Sequence, residues 1–373
     1  MIHNLSFNDE TQKAILPHLQ KTEFLLNKVT SKLSKTEKEC NIYVMPDLGL
    51  PHNSTRMLGG FYTGSCYVWH CDIPFIPIDT TVNVCGTAVY KLSENISVQE
   101  FKFRLDNVLN NISKYDWNYD KGNHFVSLAS SDGKYGFDKG LYMVVHASAS
   151  EYKKQKSLGL YPEKDNWYYN EIKTEYLEND FRYLRYIEGK TAEKFYVIAN
   201  FLELFNLERN RYFCEKVLGN LLEKEILNTS HYGMPNKNSV CIGVQWKNEP
   251  YTLLTAPSKN IYIVNPIEKA GKNNISNNIL LSPHGLGLQI TSKNKKIEYL
   301  ENAFKIDNKV FHKEDSIEIG KYSKNRGIDC TYKELENTVH KILDICPGSI
   351  IGELSQICTF SKKGFEIYEN NIS

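Results

Sequence analysis

The chain carries almost no net charge: 45 Lys and Arg oppose 44 Asp and Glu, leaving a formal +1 over 373 residues. That balance gives no general attraction to nucleic acid or membrane, so any polyanion must be held by a local patch. There is no CxxC pair among the nine cysteines, which run from Cys40 to Cys358. An odd number at such spacing is not a disulfide framework, and thiols in a reducing compartment are expected. No window approaches the roughly 20 apolar residues that a bilayer span needs, and Met1 to Leu16 is polar. A soluble, cytoplasmic protein with no membrane partner is expected. Repeats, low-complexity tracts and long Gly, Ser or Pro linkers are also missing, so the reading is one domain over residues 1–373.

What is present reads as a mixed α and β (α+β) chain. A helical pattern covers roughly Asp9 to Leu33, with Ile15, Leu19, Phe24, Leu25 and Val29 at helical spacing. Residues Ile42 to Leu92 hold short apolar runs broken by Pro and Gly, which suits strands and turns. Ser97 with Glu100, and Thr331 with Glu334, read as capping boxes; Phe101, Phe103, Leu105, Val108 and Leu109 follow the first. Strands are expected at Phe125 to Leu128, Leu141 to His146, Val240 to Trp246, Thr252 to Thr255 and Ile261 to Val264. A long helical stretch from Thr191 contains an Asn- and Arg-rich interruption around Asn210. A last helix to about Ile345, a Pro347-Gly348 stop and a strand-like run before Lys362 and Lys363 close the chain.

Four of the ten histidines lie where an apolar run meets a turn: His124, His146, His231 and His284. At such junctions a core holds the side chain while its tip reaches a cleft, as ligation and nucleophilic catalysis require. Each alone reads as an ordinary structural histidine. Together with Cys85 they form a nitrogen and sulfur donor set suited to zinc, manganese or cobalt. Cys66, His70 and Cys71 also have ligand chemistry, but adjacent His70 and Cys71 would point to opposite faces of a strand, which favours structural roles.

In order, Met45-Pro46-Asp47, Cys85-Gly86, Gly122-Asn123-His124-Phe125, Val145-His146, His231, Ser282-Pro283-His284-Gly285-Leu286-Gly287, Tyr332-Lys333 and Lys363-Gly364 resemble the conserved blocks of RtcB-type RNA-splicing ligases. The resemblance runs from about residue 43 to 364, and the order of the blocks carries it. It implies an RtcB-like fold with mixed sheets flanked by helices. It also implies a Mn2+-dependent ligase that uses GTP to join RNA ends bearing a 3′-phosphate or 2′,3′-cyclic phosphate to 5′-hydroxyl ends, in RNA repair or tRNA splicing. By resemblance, Cys85 bridges two metals, His124 ligates one, and His146 with His231 ligates the other. His284 becomes guanylylated, and Asn123 and Lys363 contact the guanine nucleotide. Other divalent ions, one ion in place of two, and an accessory activating protein stay open.

The sequence departs from the family at several of these places. Val82 stands where the family has a metal-binding aspartate, leaving only Cys85 and His124 for that ion unless Asp79 reaches in. Leu48 and Leu288 replace a histidine and an arginine, Ala147-Ser148-Ala149-Ser150 lacks a glycine and arginine used near phosphates, and the stretch between Cys85 and His124 is short. Lys293, Lys295, Lys296, Lys321, Lys324, Arg326 and Lys362 could supply phosphate contacts or simply a solvated face. The run from Trp167 to Tyr186 could stack unpaired bases, although Tyr176, Phe181, Leu184 and Ile187 fit the buried face of a helix better. Two alternatives therefore accompany the ligase: a nucleotide- or RNA-binding protein that has lost ligation, and a single-metal RNA-end phosphohydrolase.

Overall fold

The computed structural model describes residues 1–35, 39–149, 152, 157–268, 274–276, 279–291, 295–313, 330–333 and 335–368. Ser150, Lys293, Lys321, Lys324, Arg326 and Glu334 of the preceding analysis lie outside them. The fold is mixed α+β. Its centre is an antiparallel sheet in the order Leu222–Ser230, Gly86–Leu92, Gly140–Ala147, Phe125–Ser131, Gly348–Ser361, Ile261–Pro266, Tyr251–Leu253, with Gly364–Ile367 folding back on Gly348–Ser361. Side chains alternate across it, as a strand period of two dictates. Ala88, Tyr90, Met143 and Val145 pack beneath the helices Val98–Asn111 and Gly189–Leu218, whereas Val89, Tyr142 and Val144 face the opposite core. A second sheet runs Ile2–Asn4, Asn41–Gly49, Thr63–Val68, Ser239–Ile242, Tyr232–Gly233. Among the described residues no helix is long and apolar enough to cross a membrane.

The first helix, Glu10–Leu33, begins where expected because Asp9 accepts from the Gln12 N–H at 2.9 Å and Gln12 returns a bond to the Asp9 N–H. A cap of this kind contributes about 1 kcal/mol. The helix continues through Pro17, which is exposed, so water can reach the carbonyl that the missing N–H leaves open. Ile15, Leu19, Leu25, Leu26 and Val29 are buried, but Phe24 of the expected face is 55% exposed.

Four other expectations need correction. The stretch around Tyr176 is a hairpin of Lys173–Tyr176 with Tyr183–Glu188, not a helix. Its buried residues, Leu184, Tyr186 and Ile187, reflect packing against Phe75–Pro77, while Tyr176 and Phe181 are exposed. The helix Gly189–Leu218 is uninterrupted at Asn210, for a reason that emerges at the site. Thr331 sits in the strand Cys330–Tyr332, before the helix Leu335–Ile345. His70 and Cys71 follow the strand Thr63–Val68 rather than lying in it.

His18 gives the fold a measurable acid sensitivity. Its Nε2 bonds the Ile297 carbonyl at 3.1 Å, and burial, helped by the nearby Arg182 guanidinium, pushes its pKa down to about 4. The unfolded value is about 6.5. The folded chain therefore favours neutral His18, a contribution complete above pH 6.5 and lost as pH falls through that value towards 4. We expect about 3 kcal/mol of stability to disappear over this window through His18. Urea midpoints at pH 7 and pH 4 should converge in His18→Gln by that amount; an equal acid loss in both proteins would refute it.

Candidate active site

The register places the candidate donors at one end of the central sheet. Ser230 pairs with Gly86 and Gly86 with Ala147, so His231 and Cys85 emerge side by side. His146 pairs with Thr87 and Phe125, and Phe125 with Ser361, which puts His124 and the Lys362-Lys363 turn on the same edge. His284 arrives from outside the sheet: Pro283 pairs with Val244, and the His284 carbonyl accepts from the Leu254 N–H at 2.8 Å. The structure thus brings together Cys85, His124, His146, His231 and His284, with successive histidine ring centroids 5.4, 5.0 and 5.0 Å apart.

Within this row the donors form two close pairs. His146 Nε2 is 3.2 Å from His231 Nε2, and Cys85 Sγ is 3.7 Å from His124 Nε2. Two nitrogens bound at about 2.1 Å to one tetrahedral ion stand roughly 3.4 Å apart, and a nitrogen and a sulfur slightly further. Both spacings fit. The outer contacts fit as well: His124 Nδ1 donates to the Asn118 carbonyl and His146 Nδ1 to the Asn123 carbonyl, each at 3.0 Å, leaving both Nε2 lone pairs directed inward. Burial pushes the His146 pKa down to about 4 and that of His231 well below its usual range, so both are neutral. Among the described residues the buried His231 Nδ1 has no hydrogen-bond partner. Among the described residues no three His, Cys, Asp or Glu side chains converge as one ligand group, so the arrangement is two pairs of donors.

The positions departing from the family are filled with core. Val82, Leu48 and Leu288 are all buried. Asp79 lies with its carboxylate on Arg185, including a 2.9 Å bond from Arg185 Nε, and is not directed at Cys85. Cys85 instead receives a hydrogen bond from Asn83 Nδ2 at 2.7 Å, and Tyr161 donates to Asn83 Oδ1 at 2.9 Å. Val84, between Asn83 and Cys85, holds φ at 47°, a left-handed conformation that a β-branched residue adopts only under constraint. Asn206 Nδ2 supplies part of that constraint by binding the Val84 carbonyl at 2.9 Å.

This explains the unbroken helix. Asn206 also reaches the Ala147 carbonyl at 3.2 Å, and the buried Arg209 donates to the Ser148 carbonyl at 2.5 Å and the Asp116 carbonyl at 3.3 Å. Asn206 and Arg209 point inward to carbonyls near Cys85 and His146, so they read as part of a turn only when tertiary partners are ignored.

The residue that sequence reasoning left without a role is Asp47. Its Oδ2 accepts from His284 Nδ1 at 2.7 Å and from the His284 and Gly285 N–H groups at 3.2 Å each. The proton is therefore on Nδ1, and Nε2 keeps its lone pair. The Asp47 backbone is itself clamped. Gln12 Nε2 binds the Pro46 and Leu48 carbonyls at 2.8 and 3.3 Å, and Lys333 Nζ binds the same pair at 3.3 and 3.4 Å while pairing with Asp9 at 3.0 Å. Gly64 and Gly287, both at positive φ, press on the Asp47 main chain where a Cβ would clash. The glycines after His284 pack closely, Gly287 against Asp47 and Gly285 against the Leu254 carbonyl. Lys333→Met should cost about 1–3 kcal/mol by leaving two buried carbonyls and Asp9 without their cation. A thermal-melt comparison checks this, and an unchanged melting temperature would remove Lys333 from the clamp.

The two residues assigned to the nucleotide by resemblance lie on the exposed surface of the same sheet end. Asn123 has an exposed side chain, and its carbonyl orients His146. Lys363 lies on an exposed turn with Nζ 3.7 Å from the Glu366 carboxylate. A groove of about 670 Å3, bordered by Lys13, His18, Lys295 and Lys296, is not lined by His124, His146, His231 or His284, so donor geometry and not cavity volume marks the site. No protein-family model matches this chain, and no curated protein matches it.

Proposed function

We propose that this protein is a GTP- and divalent-metal-dependent RNA ligase joining 3′-phosphate or 2′,3′-cyclic phosphate ends to 5′-hydroxyl ends through a guanylylated His284. The observation that carries the reading is the meeting of Cys85, His124, His146, His231 and His284 at one sheet end, with Asp47 fixing the His284 tautomer. Cys85, His124, His146 and His231 would hold one or two divalent ions, Mn2+ first, which offset charge on phosphate oxygens. His284 Nε2 forms the bond to the α-phosphorus of GTP as the bond to the β-phosphate oxygen breaks and pyrophosphate leaves. Asp47 offsets the positive charge that the imidazole ring gains. GMP then passes to the RNA 3′-phosphate, and attack by the 5′-hydroxyl releases it. Asn123 and Lys363 are assigned to the guanine nucleotide, and RNA repair or tRNA splicing is the setting.

Intact-mass measurement after incubation with Mn2+ and GTP tests the first step. A GMP-sized gain, absent in His284→Ala, is expected; no gain with Mn2+, Co2+ or Zn2+ would sink the proposal. A second reading rests on Asp79 being held by Arg185, which leaves the Cys85 and His124 pair without a carboxylate ligand and with open positions. Such a site suits hydrolysis of a terminal or cyclic RNA phosphate by bound water, and phosphate release or ring opening without GTP would select it.

A further inference from the structure

Two of the nine cysteines meet. Cys66 and Cys241 occupy directly opposed positions on the neighbouring antiparallel strands Thr63–Val68 and Ser239–Ile242. The Cys241 thiol donates to Cys66 Sγ at 3.0 Å, and both residues are fully buried among Tyr43, Met45, Val244 and Trp246. Opposed residues of antiparallel strands have Cα atoms about 4.5–5.5 Å apart, inside the roughly 4.4–6.8 Å range that a disulfide spans. The backbone is therefore already at bridging distance, and side-chain rotation brings the sulfurs to about 2.05 Å.

The location has a consequence for the histidine row. The strand carrying Cys66 pairs through Tyr43 with the strand that leads to Asp47. The strand carrying Cys241 runs into Gly243, whose Cα backs the His284 ring so closely that a Cβ would lie 2.7 Å from Cε1. We propose that Cys66 and Cys241 are a redox modification site that closes to a disulfide and staples together the two strands behind the His284 seat. The pair is separated by 175 residues, and closing so long a loop restricts the unfolded chain strongly. Burial holds the Cys241 thiol well above its ordinary range, so conversion is slow and needs transient strand opening.

With glutathione disulfide as oxidant, one cysteine sulfur attacks a glutathione sulfur and releases one glutathione thiol. The second cysteine then attacks the mixed disulfide and releases the other. Two protein thiols are oxidised, one glutathione disulfide is reduced, and the protons end on the two glutathione thiols.

The test equilibrates the full folded chain in glutathione buffers from reducing to oxidising, quenches with an alkylating agent, and reads intact mass, cross-linked peptides and Tm. The expected result is loss of two hydrogens, one peptide joining Cys66 to Cys241, and a Tm raised by about 2 °C or more over the reduced form. Cys66→Ser and Cys241→Ala should each lose both effects. Three results would overturn the proposal: both cysteines recovered alkylated under the most oxidising buffer, a different pair such as one with Cys346 as the main cross-link, or a Tm that falls on closure. Because the parent protein alone gives these readouts, a variant that folds poorly leaves the test intact.

Discussion

With His284 as the proposed GMP acceptor, Asp47→Asn is expected to slow that proposed transfer on the order of 10²–10⁴-fold with the fold intact. The carboxylate uses one oxygen, Oδ2, for all three bonds to His284 and Gly285, whereas the buried Oδ1 has no hydrogen-bond partner among the described residues. An asparagine can place its carbonyl where Oδ2 stands and keep the tautomer. What it loses is the negative charge facing an imidazole that becomes cationic as it attacks phosphorus, in a setting where water does little screening. Asp47→Ala removes tautomer selection as well and should be slower still. Single-turnover mass spectrometry with circular dichroism of each variant makes the comparison. If Asp47→Asn reacted within about threefold of the parent, Asp47 would be a structural contact only.

Arg185→Met should destabilise the chain by about 3–5 kcal/mol, the largest stability effect expected here. Asp79 is completely buried, and the Arg185 side chain is 15% exposed. Removing the cation leaves a carboxylate in the core with no charge to balance it. The pair is therefore costly to break from one side, whatever its net contribution as a pair. Asp79→Asn combined with Arg185→Met should recover part of the loss, since neither ion is then stranded. Urea unfolding of the parent, both single variants and the double variant completes the cycle. Additive losses would show that the two side chains do not act together.

These two carboxylates also show how far the chain could be read without its fold. Asp47 and His284 are 237 positions apart, and no period or cap links them. The Met45-Pro46-Asp47 block was visible as a pattern, but its placement depends on the bulged strand end that Gln12, Lys333, Gly64 and Gly287 hold from four separate segments. Asp79 was a possible ligand, beside Cys85 and His124, of one metal by proximity in sequence alone. The fold turns it to Arg185, because a buried guanidinium and a buried carboxylate each need the other.

The sequence by itself determined the features set by local physics. Helical spacing of apolar residues marks the first helix from about Asp9, short apolar runs mark the strands through Val126 and Val144, and the histidines at strand ends mark where donors can be presented. Tertiary structure alone decided which of those ends meet, since strand order and register are long-range choices that no window contains. It also decided the fate of polar residues in apolar company. Asn206 and Arg209 look like part of a turn when solvated, yet the carbonyls around Cys85 and His146 draw them into the inner face of an unbroken helix. A buried polar group is satisfied by a partner that local sequence does not name, so the site's supports are legible only after folding.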